Sequence, residues 1–277
     1  MIAILGTGLL GSNFARALIK KGETVHVWNR TFERASALAA DGAKPFARAA
    51  DAAKGASRVH IVVSDDEAVD GVLEAANLEP GTLVIDHTTT STEGARARTA
   101  RTDITYVHAP VFMGPQNALE STGIMMVSGE RARVERVKPM LSQMTGKLVD
   151  FGDRVDAAAA FKLMGNTFLM GFTAAIGDML GLGKALGIDP MQAVSLFEQF
   201  NPGAMAPQRG KRMAQGEFNR PSWELAMARK DARLVQEEVD RAGVELVLVP
   251  AIATRMDAMI ARGHSHDDWT VIAKDYV

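Results

Sequence analysis

Lys162 is hard to explain by burial alone. It sits in "DAAAAFKLMGN" (156–166), with four alanines and Phe161 before it and Leu163 and Met164 after it. An ammonium group in an apolar helix is costly unless it reaches water or a partner. Asn166 follows at i+4, so on a helix the two side chains leave the same face. A lysine and a carboxamide placed this way can serve one small molecule. Reduction of a carbonyl gathers negative charge on its oxygen, and a positioned proton donor lowers that barrier. Burial or a neighbouring cation brings a lysine from its ordinary pKa of about 10.4 toward neutrality. The bland alternative is that Lys162 extends its methylenes to water and Asn166 is a polar surface residue.

A second group with chemical meaning opens the chain. "ILGTGLLG" holds Gly6-x-Gly8-x-x-Gly11, with Thr7, Leu9 and Leu10 between, directly after an apolar run and before a helical pattern. In that setting Gly6 allows a tight turn, Gly8 lets the backbone approach a pyrophosphate, and Gly11 permits close helix–sheet packing. The helix N-terminus adds unpaired N–H groups for the phosphate charge. The end of the second apolar run distinguishes the cofactors. A carboxylate there would accept from ribose hydroxyls; this chain instead has Asn29, Arg30 and Thr31. A guanidinium beside a hydroxyl suits a 2′-phosphate, which predicts NADPH/NADP+ in preference to NADH. Thr31 is also placed to cap the next helix.

These residues need elements to hold them. Apolar, β-rich runs at 2–5, 24–28, 59–63, 82–86, 105–111, 123–129 and 147–151 alternate with helical stretches at 9–21, 31–40, 65–76, 92–101 and 130–145. That alternation predicts an α/β domain with a mostly parallel sheet covered on both faces. Beyond residue 152 the strand signal fades. Residues 153–187 read as one long helix with Phe161, Met164, Phe168, Phe172, Ile176 and Leu180 at three- or four-residue spacing. Further helices are predicted at 189–200, 222–242 and 249–262. The expected architecture is a Rossmann-type dinucleotide-binding domain over 1–152 and an all-α domain over 153–277, joined by the long interdomain helix.

Composition narrows the rest. A length of 277 residues suffices for two cores. A formal charge of −2 leaves no basic footprint, so no nucleic-acid partner is expected. The absence of cysteine excludes disulfides, thiol nucleophiles and thiolate metal sites. The histidines, including His264 and His266, show no zinc-binding spacing, and no metal is expected. The opening stretch lacks the basic start of a signal peptide. The apolar run at 174–183 is broken by Asp178 and by Gly177, Gly181 and Gly183, so no membrane span is expected. A cytoplasmic location is the resulting expectation.

Taken in order, the motifs resemble the β-hydroxyacid dehydrogenase family, which includes 3-hydroxyisobutyrate dehydrogenase, glyoxylate/succinic semialdehyde reductase and the decarboxylating 6-phosphogluconate dehydrogenases. "GTGLLG" matches its glycine pattern, and "DHTTTS", with Asp86, Thr88 and Thr89, matches its Asp-x-Ser-Thr segment. Lys162 and Asn166 match its Lys-x-x-x-Asn, and Lys230 and Asp231 in "ARKDARL" match its later Lys-Asp pair. The resemblance implies hydride transfer between NADP(H) and a small carbonyl or hydroxyl substrate, of 3-hydroxyacid or semialdehyde type. It implies Lys162 as general acid/base with Asn166 holding the substrate or orienting the lysine. Thr89 would lie beside the nicotinamide, Val63 and Ser64 near the adenine-side ribose, and Thr88 in the substrate site. Lys230 would approach a closed cleft with Asp231 in support. A homodimer or higher homo-oligomer is also implied, with the small residues of "FTAAIGDMLGLGKALGI" allowing close helix packing.

One segment departs from the pattern. "HAPVFMG" puts Phe112, Met113 and Gly114 where relatives carry Ser-Gly-Gly to bind a substrate carboxylate. Phe112 is expected to narrow that pocket or make it apolar, unless it and Met113 turn into the core. This keeps two other readings open. One is an imine reductase on the same fold, against which Lys162 argues; the other is a non-catalytic dinucleotide-binding protein.

Overall fold

The computed structural model describes all 277 residues, Met1–Val277. Two compact units result, Met1–Asn166 and Thr167–Val277.

The first unit is built on β1 (Ile2–Leu5), β2 (Val25–Trp28), β3 (Lys44–Phe46), β4 (Arg58–Ile61), β5 (Leu83–Asp86) and β6 (Thr105–His108). They form one sheet in the order β3-β2-β1-β4-β5-β6, with every pairing parallel. The strand order reverses between β1 and β4, and open α/β sheets bind ligands in the crevice at such a point, beyond the carboxyl ends of the strands. All four residues of β1 and of β5 are buried, as expected for strands covered on both faces. One face packs through Phe14, Leu18, Val27 and Ile85, the other through Leu5, Ile61, Leu73 and Tyr106.

The single strand expected over 105–111 is in fact two. β6 ends at His108, the chain turns at Ala109-Pro110, and β7 (Val111–Phe112) starts a second sheet with β8 (Ile124–Val127) and β9 (Lys147–Asp150). Proline has no N–H for a ladder, so it ends the first sheet there, while its carbonyl accepts from Met126 N at 2.9 Å in the second. The stretches at 31–40 and 189–200 also break into shorter helices. Strand β3 and the helices Ala49–Ala53, Pro115–Glu120 and Ala206–Ala214 were not expected. The first three of these span six residues or fewer, too few to show a period.

The long helix is Ala157–Ala185. Its start belongs to the first unit: Ala157, Ala158 and Ala159 are buried, and Ala158 N donates to Ser128 Oγ at 2.9 Å. Phe161 stacks on Phe151 with centroids 3.9 Å apart. These contacts carry the first unit past residue 152 to Asn166.

By length and composition alone this helix could cross a membrane. Asp178, buried in the second unit, is committed to protein instead. Its carboxylate accepts from Val247, Leu248 and Val249 N at 2.7, 2.8 and 2.9 Å. Those are orphan donors at the start of the helix Leu248–Ala261, whose own capping residue is a valine. Replacing Asp178 with alanine leaves them unpaired, and denaturant titration should show a stability loss of about 2–4 kcal/mol. The spacing of Phe161, Met164, Phe168 and Phe172 predicts a buried face, yet in the isolated chain all four are exposed, Phe168 by 63%.

Candidate active site

A crevice of about 1020 Å³ opens at the carboxyl ends of β1, β2, β4 and β5. The three glycines lining its floor do three different things. Gly6 has φ +104°, and a Cβ there would lie 2.1 Å from the Val62 carbonyl oxygen. A Cβ on Gly11 would lie 2.0 Å from the Gly6 oxygen, so helix and turn touch backbone to backbone. Gly8 faces open space. The helix Leu9–Lys20 that follows has no side-chain cap and no acidic residue in its first turn, leaving its N–H groups for an anion. Thr7 is buried behind this turn. Its N donates to Asn29 Oδ1 at 3.0 Å, while its hydroxyl is buried with no partner in the chain. An open cradle and uncapped N–H groups fit a bound dinucleotide pyrophosphate, whereas Thr7, predicted as a cofactor contact, lies outside the crevice lining because its side chain turns into the protein.

Asn29 and Arg30 line the crevice but differ in task. Both ends of the Asn29 amide are spent on backbone, since Nδ2 donates to Thr31 O at 3.0 Å. Asn29 therefore braces the glycine turn against the end of β2. Arg30, Thr31 and Arg34 remain available, and the Thr31 hydroxyl makes no capping bond although Thr31 occupies the cap position. Arg34 was not anticipated; it enters because the helix Phe32–Ser36 starts at once after Thr31 and returns its first turn to the strand end. Opposite them, the Ser64 hydroxyl donates to Asp65 Oδ2 at 2.8 Å, and Ala68 N donates to Oδ1 at 2.9 Å. Those two bonds hold the Asp65 carboxyl below its ordinary pKa. Ser64 and Val63 both line the crevice.

At the far end lie Thr88, Thr89, Met113 and Lys162. Thr88 Oγ1 accepts from Val63 N at 3.1 Å, and Thr88 N donates to Asp86 Oδ1 at 2.9 Å. Asp86 is fully buried and also accepts from the Tyr106 hydroxyl at 2.6 Å. His87, between Asp86 and Thr88, also lines the crevice and was not anticipated; burial pushes its pKa down to about 4.

Lys162 is half-buried, and burial lowers its pKa from the ordinary lysine value. No carboxylate pairs with it; its ammonium instead stands 4.0 Å from the centroid of the Phe112 ring. Helix and ring are fitted to each other, because a Cβ on Gly165 would fall 2.2 Å from Phe112 Cζ. Phe112 thus lies under the lysine, while Met113 turns to the crevice. Gly114 lies outside the lining: its N donates to Asn117 Oδ1 at 2.9 Å and starts the helix Pro115–Glu120. Asn166 is half-buried and also outside the lining. Lys230 and Asp231 belong to the second unit, on the helix Leu225–Arg241, where Nζ meets Oδ1 at 2.6 Å.

Residues 1–152 match the family described as the NAD binding domain of 6-phosphogluconate dehydrogenase. Residues 157–276 match the one described as the NAD-binding region of NADP-dependent 3-hydroxyisobutyrate dehydrogenase. An uncharacterized oxidoreductase of Bacillus subtilis, YfjR, is 24% identical over 99% of this chain and 98% of its own. A probable 3-hydroxyisobutyrate dehydrogenase of Mycobacterium bovis is 28% identical over 98% and 96%. Among solved structures, an imine reductase from Myxococcus stipitatus in complex with NADP+ superimposes with a TM-score of 0.91 at 20% identity, covering 99% of both chains.

Proposed function

The chain belongs to the 3-hydroxyisobutyrate dehydrogenase family of NAD(P)-dependent oxidoreductases, and from that premise we propose that it reduces a small carbonyl compound with NADPH, using Lys162 as the proton donor. The observation that carries this reading is a half-buried ammonium with no carboxylate partner, lining the crevice that begins at the glycine turn. Bound NADPH would supply the hydride. Lys162 then delivers a proton to the oxygen as charge gathers there, and a lysine whose pKa is lowered by burial gives that proton up more readily. Thr88 is held by Val63 and Asp86, so its loop is rigid where a substrate oxygen must be placed. Arg30, Thr31 and Arg34 carry the preference for the 2′-phosphate.

Phe112 bears on the substrate. An aromatic ring beside the ammonium offers no hydrogen-bond donor to a carboxylate, so a neutral carbonyl compound fits this end better than a keto acid. The same apolar neighbour favours the second reading, reduction of a cyclic imine. A screen of short aldehydes, 2-keto acids and cyclic imines with NADPH and NADH, following absorbance loss, separates the two. Turnover of aldehydes with NADPH is expected; turnover of imines alone would replace the first reading with the second. Phe112 lies outside the crevice lining but against Lys162, and Phe112→Ser should raise the rate with glyoxylate relative to a neutral aldehyde of similar size by about tenfold, the usual weight of one contact at a substrate site.

The exposed apolar residues of the long helix support a homodimer. Phe168, Leu169, Met170 and Phe172 are 63%, 55%, 66% and 42% exposed, more apolar surface than a single helix turn or two leaves uncovered in a monomer. Sedimentation of the purified protein tests this.

A further inference from the structure

A hydrogen-bonded chain that the proposed reaction does not use runs behind the crevice wall. Arg58 Nε donates to His60 Nε2 at 3.0 Å, His60 Nδ1 lies 2.9 Å from His87 Nε2, and His87 Nδ1 lies 2.7 Å from the Ala109 carbonyl oxygen. Both imidazoles are buried. Their planes differ by 10° with centroids 5.2 Å apart, an edge-to-edge placement in which an in-plane N–H meets an in-plane lone pair.

The two ends remove every ambiguity about the protons. Arginine only donates and a carbonyl only accepts. His60 Nε2 must therefore be a lone pair, which puts the His60 proton on Nδ1. His87 Nε2 is then a lone pair as well, and its proton sits on Nδ1, facing Ala109. Both rings are neutral, each in one tautomer, and the bonds run one way from Arg58 to Ala109. One further proton has no lone pair to occupy. On His60 it would oppose the Arg58 N–H, and on His87 it would oppose the His60 N–H.

All four ring nitrogens of His60 and His87 are occupied within this chain. Arg58 is flanked by Glu23, at 3.7 Å. Phe14 packs on His87, with centroids 5.1 Å apart. On the inner side, Asp86 is occupied by Thr88 N and the Tyr106 hydroxyl, and His108 donates through Nε2 to Thr88 O at 2.8 Å, which leaves its buried Nδ1 as a lone pair without a partner and as the competing site for a proton. Arg98, which reaches His108 electrostatically, is paired with Asp66 and Asp70. The chain ties two crevice-lining segments together. His87 leads into Thr88 and Thr89, and Ala109 leads through Pro110 into Val111.

We propose that His60 and His87 are a positioning pair: set in single tautomers by Arg58, they lock the Thr88–Thr89 loop to the Ala109–Val111 segment, and uptake of one proton releases the loop and stops turnover in acid. Burial holds both rings below the ordinary histidine pKa of 6.5, His87 at about 4. The unfolded chain protonates at the higher value. The lock therefore contributes its full stability above that pH and loses it as pH falls toward about 4. For its kinetic readout the proposal rests on the reaction given above, and direction of reaction keeps the two apart. In reduction, loss of the Lys162 proton slows the enzyme only on the alkaline side, so an acid limb in that direction comes from other groups, and its movement in the variants below is what assigns it to this pair.

Nuclear magnetic resonance of the full chain with isotope-labelled histidine, near neutral pH, should show His60 and His87 as neutral Nδ1–H tautomers. An Nε2–H tautomer or an imidazolium at either overturns the proposal, whatever the chain reduces. Two variants carry the test into kinetics. His60→Phe keeps a ring but opens His87 Nε2 to a proton; Arg58→Met, where the side chain is only 12% exposed, keeps an unbranched apolar stem and removes the donor that sets the polarity. Each should move the acid limb of kcat for reduction toward neutrality by about one pH unit. At the plateau His60→Phe should lower kcat by about tenfold while leaving KM for NADPH within about threefold, because the loop shifts but the glycine turn does not. An acid limb and kcat unmoved in both variants, or in Arg58→Met alone where His60→Phe does not fold, would sink the proposal. If no carbonyl is reduced, the tautomer spectra and the acid dependence of melting still decide it.

Discussion

Lys162→Ala is expected to lower kcat for carbonyl reduction by about 10²- to 10⁴-fold, the range for loss of a general acid. The dissociation constant for NADPH, measured by fluorescence titration, should stay within about threefold, since the glycine turn and Arg30 do not depend on this side chain. Retained binding with lost reduction separates a proton donor from a residue that holds the helix in place. It also excludes the reading of a silent dinucleotide-binding protein. The pH profile provides a second check. Burial lowers the pKa of Lys162, and no carboxylate raises it. The rate of reduction needs the ammonium form, so it should be full near neutrality and decline toward alkaline pH, with a midpoint below the ordinary lysine value. Oxidation of the alcohol needs the neutral amine and should show the opposite slope through the same midpoint. A reduction rate independent of pH from neutrality upward would remove Lys162 from the chemistry.

The second large effect concerns the cofactor. Arg30→Ala with Arg34→Ala should weaken NADPH binding by about 10- to 100-fold, the weight of charge-assisted bonds to a phosphate at an open site. NADH binding should change little. Asp65 is the nearby carboxylate, its charged form favoured in part by Arg30, so under the proposed reading it is the two guanidiniums that would favour a 2′-phosphate. Removing the two guanidiniums would leave the Asp65 carboxylate in the same crevice uncompensated, which would penalise a phosphate further. The expected loss is therefore confined to NADPH and shrinks at high salt. Equal weakening of both cofactors would show that these arginines hold the adenine end as a whole and do not select the phosphate.

Much of this protein is legible from local pattern. Gly6, Gly8 and Gly11 could be read because a strand, a turn and a helix follow one another within a few residues, and each glycine answers a local steric demand. Lys162 and Asn166 could be paired because helical spacing is a local rule, although only Lys162 lines the crevice. The alternation of apolar runs and helices was enough for a parallel sheet, and the loss of strand signal was enough for a helical second half.

What the sequence by itself determined, then, is the dinucleotide fold, a glycine turn shaped to take a pyrophosphate, and a lysine that needed a reason. The tertiary structure decided what surrounds that lysine. Phe112 is fifty residues away in the chain, and only the crossing from one sheet to the other at Ala109-Pro110 brings its ring to 4.0 Å from the ammonium. His60 stands on β4 and His87 directly follows the adjacent parallel β5, whose register is set by the whole sheet, so no local spacing announces that their ring nitrogens are 2.9 Å apart. Local rules choose elements, because turns and helices are decided by near neighbours. Electrostatic surroundings are decided by residues distant in sequence, and they set what Lys162, His60 and His87 can do.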